Sequence, residues 1–128
     1  MTKEAVRTEA APAPYQGSPY SQAIKANGFV FVSGQVSLRP GEKELTLGAI
    51  TEQTEQVFAN LSAILEAAGT SLEKVVKTTV FLQSLDDFTG MNEVYAKHVG
   101  ETPPARSTVE VAKLPSGALV EIEAIALQ

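Results

Sequence analysis

The sequence predicts a single α+β domain, in which a mixed β-sheet carries two helices packed on one face. Two segments show the spacing of apolar side chains that marks amphipathic helices, and five segments are rich in strand-forming residues. Their order along the chain is β-β-α-β-α-β-β. The first two strands and the last two can each pair as a hairpin, whereas a helix lies on either side of the middle strand. One sheet must therefore contain both hairpins and crossover connections.

The chain is predicted to begin with a flexible tail over residues 1–14, followed by one domain over residues 15–128. The tail lacks both hydrophobic periods and contains prolines, which cannot join a central strand ladder. Segments 21–26 and 29–34 then flank Asn27-Gly28, a dipeptide that favours the positive φ angles of a type I′ turn. We therefore predict a β-hairpin here, followed by an irregular connection.

The first helix is predicted over residues 50–68, and a strand follows over residues 75–82. Thr51 can cap the start of the helix, and Gly69 lies where a glycine commonly ends one. The strand is rich in β-branched residues, which favour extended backbone. The apolar residues on the inner face of the helix are Val57, Phe58, Leu61, Ile64, Leu65 and Ala68.

The second helix is predicted to begin at Asp86 or Asp87, because carboxylates favour the positive end of the helix dipole, and to end before Gly100. Two strands over residues 106–113 and 119–127 complete the sheet. The inner face of this helix carries Phe88, Met91, Tyr95 and His98.

Two predicted strands carry apolar side chains on both faces, which indicates self-association. Phe29 and Phe31 alternate with Val30 and Val32, and the strand over residues 75–82 has the same two-sided pattern. Two helices can cover only one face, so the second apolar face needs a cover from another chain. We expect a homo-oligomer built on the open face of the sheet.

The composition excludes several classes of chemistry and partner. The chain has no cysteine, so disulfides and thiolate nucleophiles are impossible, and we interpret its one histidine, His98, as a packing residue. A formal net charge of -5 disfavours nucleic acid as a partner. No long apolar run or leader-like start is present, so we expect a cytoplasmic protein without membrane contact.

The last two predicted strands hold an unusual set of charges. Strand alternation puts Arg106, Thr108 and Glu110 on one face of the first strand, and Glu121 and Glu123 on one face of the second. We expect the charged sets to lie on the open face, near a subunit interface, with valine and isoleucine facing the helices. A guanidinium held on a strand is suited to bidentate recognition of a carboxylate. The alternative is a salt bridge between Arg106 and one of the glutamates.

A series of short motifs extends over most of the chain in a fixed order. They are Ser18-Pro19-Tyr20-Ser21-Gln22-Ala23, Val32-Ser33-Gly34-Gln35, Asn60-Leu61 through Ala67-Ala68-Gly69, Val76-Lys77-Thr78-Thr79-Val80-Phe81-Leu82, Asp87-Phe88 with Met91-Asn92 and Tyr95, Pro104-Ala105-Arg106-Ser107, and Val120-Glu121-Ile122-Glu123-Ala124-Ile125-Ala126. Together they resemble the reactive intermediate deaminase family, also called RidA or YjgF.

The resemblance implies a chorismate-mutase-like fold, a homotrimer whose sheets face an inner barrel, and active sites in the clefts between subunits. It also implies hydrolysis of enamines and imines such as 2-aminoacrylate to a 2-keto acid and ammonia. This activity is of the 2-iminobutanoate/2-iminopropanoate deaminase type and needs neither a metal nor another cofactor. The expected partners are a small imine, enamine or 2-keto acid and further copies of the chain.

The resemblance also assigns roles to individual residues. It implies that Arg106 grips the substrate carboxylate and that Glu121 with Tyr20 positions the attacking water. Two positions depart from the family pattern: Ser18 stands before Pro19 where many relatives have glycine, and a threonine stands where many have cysteine. The residues that would line or support the pocket are Ser33, the backbone of Gly34, Asn92 and that threonine, Thr108.

Two other functions are compatible with the sequence. One is a non-enzymatic ligand-binding or chaperone-like trimer of the same fold, because a fold does not determine a function. The other is a related deaminase for larger, aminomuconate-like substrates, because the sequence does not set the size of the cleft. The acidic charge disfavours an endoribonuclease.

Overall fold

The fold is a six-stranded sheet with two helices, taken from a computed structural model that describes residues 2–46 and 48–128. The helices are α1 (Ile50–Ala67) and α2 (Phe88–His98). The strands are β1 (Glu4–Val6), β2 (Ala23–Ala26), β3 (Phe29–Gln35), β4 (Val75–Leu82), β5 (Ala105–Glu110) and β6 (Val120–Leu127). Their order in the sheet is β1-β2-β3-β6-β4-β5, and only β4 and β5 run parallel. The predicted fold class, two helices packed on a mixed sheet, is confirmed.

The N-terminal segment is part of the sheet, which corrects the prediction of a tail over residues 1–14. Strand β1 pairs with β2, and Val6 belongs to the core. The buried amide of Gln22 holds the segment that follows: its Oε1 accepts from Thr8 N–H at 2.8 Å, and its Nε2 donates to Pro12 O at 2.7 Å. These bonds join residues 14 and 10 positions apart, so neither hydrophobic period reveals them.

Two chain reversals have the geometry that the sequence predicts. Asn27 and Gly28 have φ angles of 52° and 83°, as a type I′ turn requires, and they join β2 to β3. Gly69 follows α1 with a φ of 86° in a Schellman motif, in which Thr70 N–H donates to Leu65 O at 2.9 Å. Both reversals depend on a few neighbouring residues.

The helices begin differently from the prediction. Thr51 does not cap α1, because Ala49 holds the N-cap position and makes no side-chain hydrogen bond there. Residues Leu85–Asp87 form a separate 3₁₀ turn that the Ser84 side chain caps. Helix α2 therefore begins at Phe88, just after the predicted aspartates. Asp87 holds its N-cap position without a side-chain hydrogen bond, and the Ser84 hydroxyl caps only the preceding 3₁₀ turn.

His98 connects the two helices, which agrees with its interpretation as a packing residue. Its ring stacks on Phe58 of α1 with a centroid distance of 4.6 Å. Its Nε2 lies 2.6 Å from Glu55 Oε1, also on α1. The contacts hold the end of α2 against the middle of α1.

The two faces of the sheet differ in their cover. On one face, side chains such as Val80 and Ile122 are completely buried beneath the helices. On the other face, Phe31 and Val109 are 44% and 41% exposed. This open face carries exposed apolar side chains, as the two-sided strands predict.

Strand β6 follows the predicted alternation, whereas β5 does not face the predicted way. Glu121 and Glu123 lie on the open face, since the residues between and beside them are buried. Arg106, however, is in register with Thr78, which is buried beneath α2. Alternation then puts Thr108 and Glu110 on the helix side as well. Because β5 is an edge strand, these side chains lie at the edge of the helix layer, where Arg106 and Thr108 are half-buried and Glu110 is exposed.

The hydrogen bond between Thr78 and Tyr95 leads to a prediction about stability. The two hydroxyls lie 2.7 Å apart, and both side chains are buried. We expect Tyr95→Phe to lower the free energy of unfolding by about 1–3 kcal/mol, because the Thr78 hydroxyl then lacks a partner. The double variant with Thr78→Val should recover most of this loss, because both polar groups are gone. Urea unfolding measures the free energy of unfolding of each variant. If the losses of the two single variants simply add in the double variant, the two hydroxyls are not coupled.

Candidate functional site

A cleft of about 400 Å³ lies where β3 and β6 meet the loop before β2 and the turn before β6. Four predicted site residues line it: Tyr20, Ser33, Gly34 and Glu121. Much of the remaining wall is apolar and includes Pro12, Tyr15, Leu38 and Pro115. The cleft therefore combines a carboxylate and hydroxyl groups with an apolar surface.

The Glu121 carboxylate lies over Gly34, where β3 is irregular between Val32 and Gln35. A Cβ atom at residue 34 would lie 2.9 Å from Glu121 Cδ and closer still to its Oε2. Partial burial raises the pKa of Glu121, and the negative charge of Glu123 raises it further. A carboxylate with a raised pKa is better matched to exchanging protons near neutral pH.

We expect Gly34→Ala to displace the Glu121 carboxylate and leave the fold intact, because the atoms it meets end a flexible side chain. The free energy of unfolding should change by less than about 1 kcal/mol. The activity that depends on Glu121 should fall at least about tenfold, because a misplaced catalytic group loses much of its effect. The control is the double variant Gly34→Ala/Glu121→Gln. Its activity should be no lower than that of Glu121→Gln alone, because both changes act on the same carboxylate. Full activity in the alanine variant would contradict the role of Gly34.

Tyr20 and Ser33 are held by hydrogen bonds to the backbone. The Tyr20 hydroxyl accepts from Tyr15 N–H at 2.6 Å, so its own proton remains available for an acceptor in the cleft. The Ser33 hydroxyl donates to Ser21 O at 2.6 Å, which ties β3 to the loop that carries Tyr20. Within this site Tyr20 presents a donor, and Ser33 supports the loop.

Arg106 lies on the helix side of β5, outside this cleft. Its guanidinium carbon lies 4.6 Å from the centre of the Tyr95 ring and 5.6 Å from that of Phe88. These cation–π contacts hold the guanidinium at the edge of the helix layer. Among the described residues, no ion pair involves Arg106. The salt bridge to a glutamate of β5 or β6 therefore does not form within this part of the chain.

Asn92 and Thr108 lie on the same side of the sheet as Arg106. Asn92 follows Phe88 by one helical turn, so it lies on the flank of α2 that meets Arg106. The Thr108 hydroxyl is buried and finds no hydrogen-bond partner in residues 2–46 and 48–128. A buried hydroxyl without a partner costs about 1–3 kcal/mol, so a group that bonds it from outside would recover this energy.

The predicted site residues thus form two groups on opposite faces of one sheet. The first lines the cleft around Glu121, and the second surrounds Arg106. Strand β4 separates β5 from β6, so no change of rotamer brings Arg106 to Glu121 within one chain. The sequence prediction missed Tyr15 and Pro115 as cleft residues. The departure at Ser18 was the only signal that this loop differs from the family pattern.

The part of the chain that the structure describes holds neither a cluster of metal ligands nor a helix that could span a membrane. In ranges 2–46 and 48–128, no three His, Asp or Glu side chains are grouped closely enough to hold a metal ion. In the same ranges, neither helix combines the length and the apolar character needed to cross a bilayer.

Sequence comparison shows which proteins the chain resembles. The family profile described as Endoribonuclease L-PSP matches residues 8–128. A RutC family protein of Pyrococcus horikoshii is 54% identical, over 97% of this chain and 97% of its own length. The 2-iminobutanoate/2-iminopropanoate deaminase of Mus musculus is 43% identical, over 100% of this chain and 93% of its own length.

Solved structures agree with the sequence matches. RidA from an Antarctic Psychrobacter bacterium has a TM-score of 0.92 and 46% identity, over 98% of this chain and 99% of that chain. TdcF of E. coli with bound serine has a TM-score of 0.89 and 37% identity, over 98% of each chain. The relatives that carry functional names include deaminases. With its motifs, its sheet topology and its profile match over residues 8–128, the chain belongs to the RidA family, also called the YjgF family.

Proposed function

We propose that the chain is a hydrolytic deaminase, which converts small enamines and imines such as 2-aminoacrylate to a 2-keto acid and ammonia. The observation that carries this proposal is the partly buried Glu121 carboxylate, which lies over Gly34 in a cleft beside Tyr20. The name of the mouse relative, a 2-iminobutanoate/2-iminopropanoate deaminase, supports the same class of substrate.

The proposed reaction consumes one water and moves both of its protons to the nitrogen. After 2-aminoacrylate has tautomerised to 2-iminopropanoate, water oxygen bonds to the imine carbon and the C=N π electrons move to nitrogen. Glu121 accepts a proton from that water and returns it to the nitrogen, which gives a carbinolamine. Glu121 then moves the hydroxyl proton of the carbinolamine to the same nitrogen, and the C–N bond breaks as the C=O bond forms, releasing ammonia and pyruvate. Tyr20 orients the water with its hydroxyl proton. The imine carbon is already electrophilic, so orientation supplies much of the acceleration.

Arg106 is proposed to bind the substrate carboxylate. Its guanidinium has no ion-pair partner in the described residues, and its fork of N–H groups matches a planar carboxylate. The serine bound to TdcF carries such a carboxylate. The buried Thr108 hydroxyl and Asn92 lie on the same side of the sheet and would line this end of the pocket.

The complete site is proposed to lie between subunits. Arg106 and Glu121 are on opposite faces of one sheet, so a carboxylate held by Arg106 of one chain must meet Glu121 of another. A homotrimer whose sheets face an inner barrel would supply the second chain and would also cover the apolar open face. The proposal therefore requires the oligomer for catalysis.

The charge of the cleft favours this function over an endoribonuclease. The family profile carries that name, but the chain has a formal net charge of -5. Glu121 and Glu123 line the cleft, and the described lining contains neither lysine nor arginine. A phosphate backbone would be repelled there. One guanidinium from a neighbouring chain suits a single carboxylate better than a polyanion.

A coupled assay tests the proposal. A serine dehydratase generates 2-aminoacrylate, and the formation of pyruvate is followed with and without the protein. We expect the protein to accelerate pyruvate release above the spontaneous rate, in proportion to its concentration. Release at the spontaneous rate, at protein concentrations well above that of the dehydratase, would contradict the deaminase and favour a ligand-binding trimer.

A further inference from the structure

Tyr15 occupies a position in the cleft that the proposed chemistry does not use. It lines the cleft that holds Glu121, and it also lines a second cleft of about 490 Å³ that extends over Gly41, Glu42 and Lys43. The residues common to both clefts are Pro12, Ala13, Tyr15 and Leu38. Tyr15 has the largest side chain of these four. Its ring therefore belongs to the wall between two neighbouring cavities.

Tyr15 is held at both ends. Its backbone N–H donates to the Tyr20 hydroxyl at 2.6 Å, and its own hydroxyl forms a hydrogen bond with Ser116 Oγ in the turn before β6. The second bond joins residues 101 positions apart in the sequence. It therefore links the N-terminal loop to the C-terminal turn. A side chain fixed at its backbone and at its tip forms a rigid wall.

The backbone near both ends of this link is strained. Gln16, next to Tyr15, has a φ of 54°, and Ser116 has a φ of 53°. This left-handed region disfavours a residue with a Cβ atom, and such a residue persists only where its surroundings require it. Two such residues adjoin a single hydrogen bond. The position of Tyr15 is therefore maintained at a cost in stability.

We propose that Tyr15 determines the specificity of the cleft, and that its ring limits the substrate side chain to a short aliphatic group. This inference rests on the proposed imine hydrolysis. In that reaction Arg106 and Glu121 engage the carboxylate and the imine, which leaves the side chain to meet the apolar wall. Tyr15 lines both the Glu121 cleft and the second one, so its ring is placed to limit how far a side chain reaches between them. An imine with an aryl side chain would collide with it.

The test compares two imines that a D-amino-acid oxidase makes in situ. D-alanine yields 2-iminopropanoate, D-phenylalanine yields 2-imino-3-phenylpropanoate, and the release of each keto acid is followed. In Tyr15→Ala, kcat/KM for the phenyl imine relative to the methyl imine should rise at least about tenfold, a usual size for discrimination by pocket shape. Tyr15→Phe is the matched control. It keeps the ring without the bond to Ser116, so its ratio should lie much closer to that of the wild type than to that of Tyr15→Ala.

A binding measurement separates this inference from the deaminase proposal. The affinities for pyruvate and phenylpyruvate, measured by calorimetry, report on the same wall without catalysis. Tyr15→Ala should shift their ratio toward phenylpyruvate. If the wild type hydrolyses neither imine and this shift still occurs, the deaminase proposal fails and the role of Tyr15 stands. If Tyr15→Ala changes neither the rate ratio nor the affinity ratio, the role of Tyr15 is overturned.

A second variant keeps the test decisive if Tyr15→Ala does not fold. Tyr15→Leu retains apolar bulk without the aromatic ring, so both ratios should lie between those of the wild type and a fully opened cleft. Thermal melts followed by circular dichroism establish which variants are folded. A folded leucine variant with wild-type ratios would overturn the inference as well.

Discussion

Replacing Arg106 with lysine should remove most of the activity although the positive charge remains. An ammonium is a point charge and cannot reproduce the two parallel N–H bonds of a guanidinium. Lysine also lacks the planar group that lies 4.6 Å from the Tyr95 ring centre. We expect kcat/KM for 2-aminoacrylate to fall at least about tenfold in Arg106→Lys and about 100-fold in Arg106→Ala, because charge-assisted hydrogen bonds contribute about 1.5–3 kcal/mol each. The dehydratase-coupled assay measures both losses.

The Arg106 variants have a matched control in Arg39→Lys. Arg39 lies on the surface and pairs with Glu42 at 4.0 Å, so exchanging its guanidinium should leave kcat/KM unchanged. All three variants should unfold at nearly the wild-type urea concentration, since neither arginine belongs to the core. Unchanged kcat/KM in Arg106→Ala would contradict a carboxylate-binding role for Arg106.

Replacing Glu121 with glutamine should have a comparably large effect. The amide cannot accept a proton from the attacking water, so kcat should fall about 100-fold or more. In the wild type, the rate should decline on the acid side of the pH profile with a midpoint above 4.5, because the pKa of Glu121 is raised and only the ionised form is active. Rates measured between pH 4 and pH 8 check this. A glutamine variant with wild-type kcat would exclude Glu121 as the base.

The same substitution should stabilise the fold at neutral pH. The folded state holds the Glu121 proton more tightly than the unfolded chain does, because burial raises its pKa above 4.5. Its contribution to stability is therefore fully present below pH 4.5 and is lost as the pH rises through the folded-state pKa. Glu121→Gln should melt at a higher temperature than the wild type at pH 7, and the difference should shrink below pH 4.5. An equal difference at all pH values would contradict this linkage.

Glu123→Gln is the matched control for Glu121. It removes the same charge from the same face of β6, where Glu123 contributes to the raised pKa of Glu121. We expect this variant to keep most of the wild-type kcat and to lower the midpoint of the acid limb. A loss of activity as large as that of Glu121→Gln would show that the two carboxylates are not distinct in function.

If the site lies between subunits, mixing two strongly impaired variants in one oligomer should restore part of the catalytic activity. In trimers formed by co-expressing Arg106→Ala and Glu121→Gln chains, about a quarter of the clefts would combine a native Arg106 with a native Glu121 from the next chain. Activity should therefore reappear, although each variant alone is inactive. Its absence in verified mixed trimers would contradict the division of the site between chains.

Local features of the fold follow from short stretches of sequence. The turn at Asn27-Gly28, the end of α1 at Gly69 and the strand Val75–Leu82 are each set by a few adjacent residues, and all three were predicted where they occur. Strand β1 was missed because three residues carry no period. It is held by pairing with β2, and the buried amide of Gln22 holds the segment after it through Thr8 and Pro12, 14 and 10 positions away in the sequence.

The fold class and the family were correctly predicted from the linear chain, because periodicity and motif order are local properties, and the same motifs named the seven residues that stay predictions for the site. Alternation also showed which side chains of a strand share a face. Which face they share depends on the folded sheet, because β5 is an edge strand in register with the buried Thr78. The tertiary structure thereby separated Arg106 from Glu121 and joined Tyr15 to Ser116. Both results depend on contacts between distant parts of the chain, which no local pattern encodes.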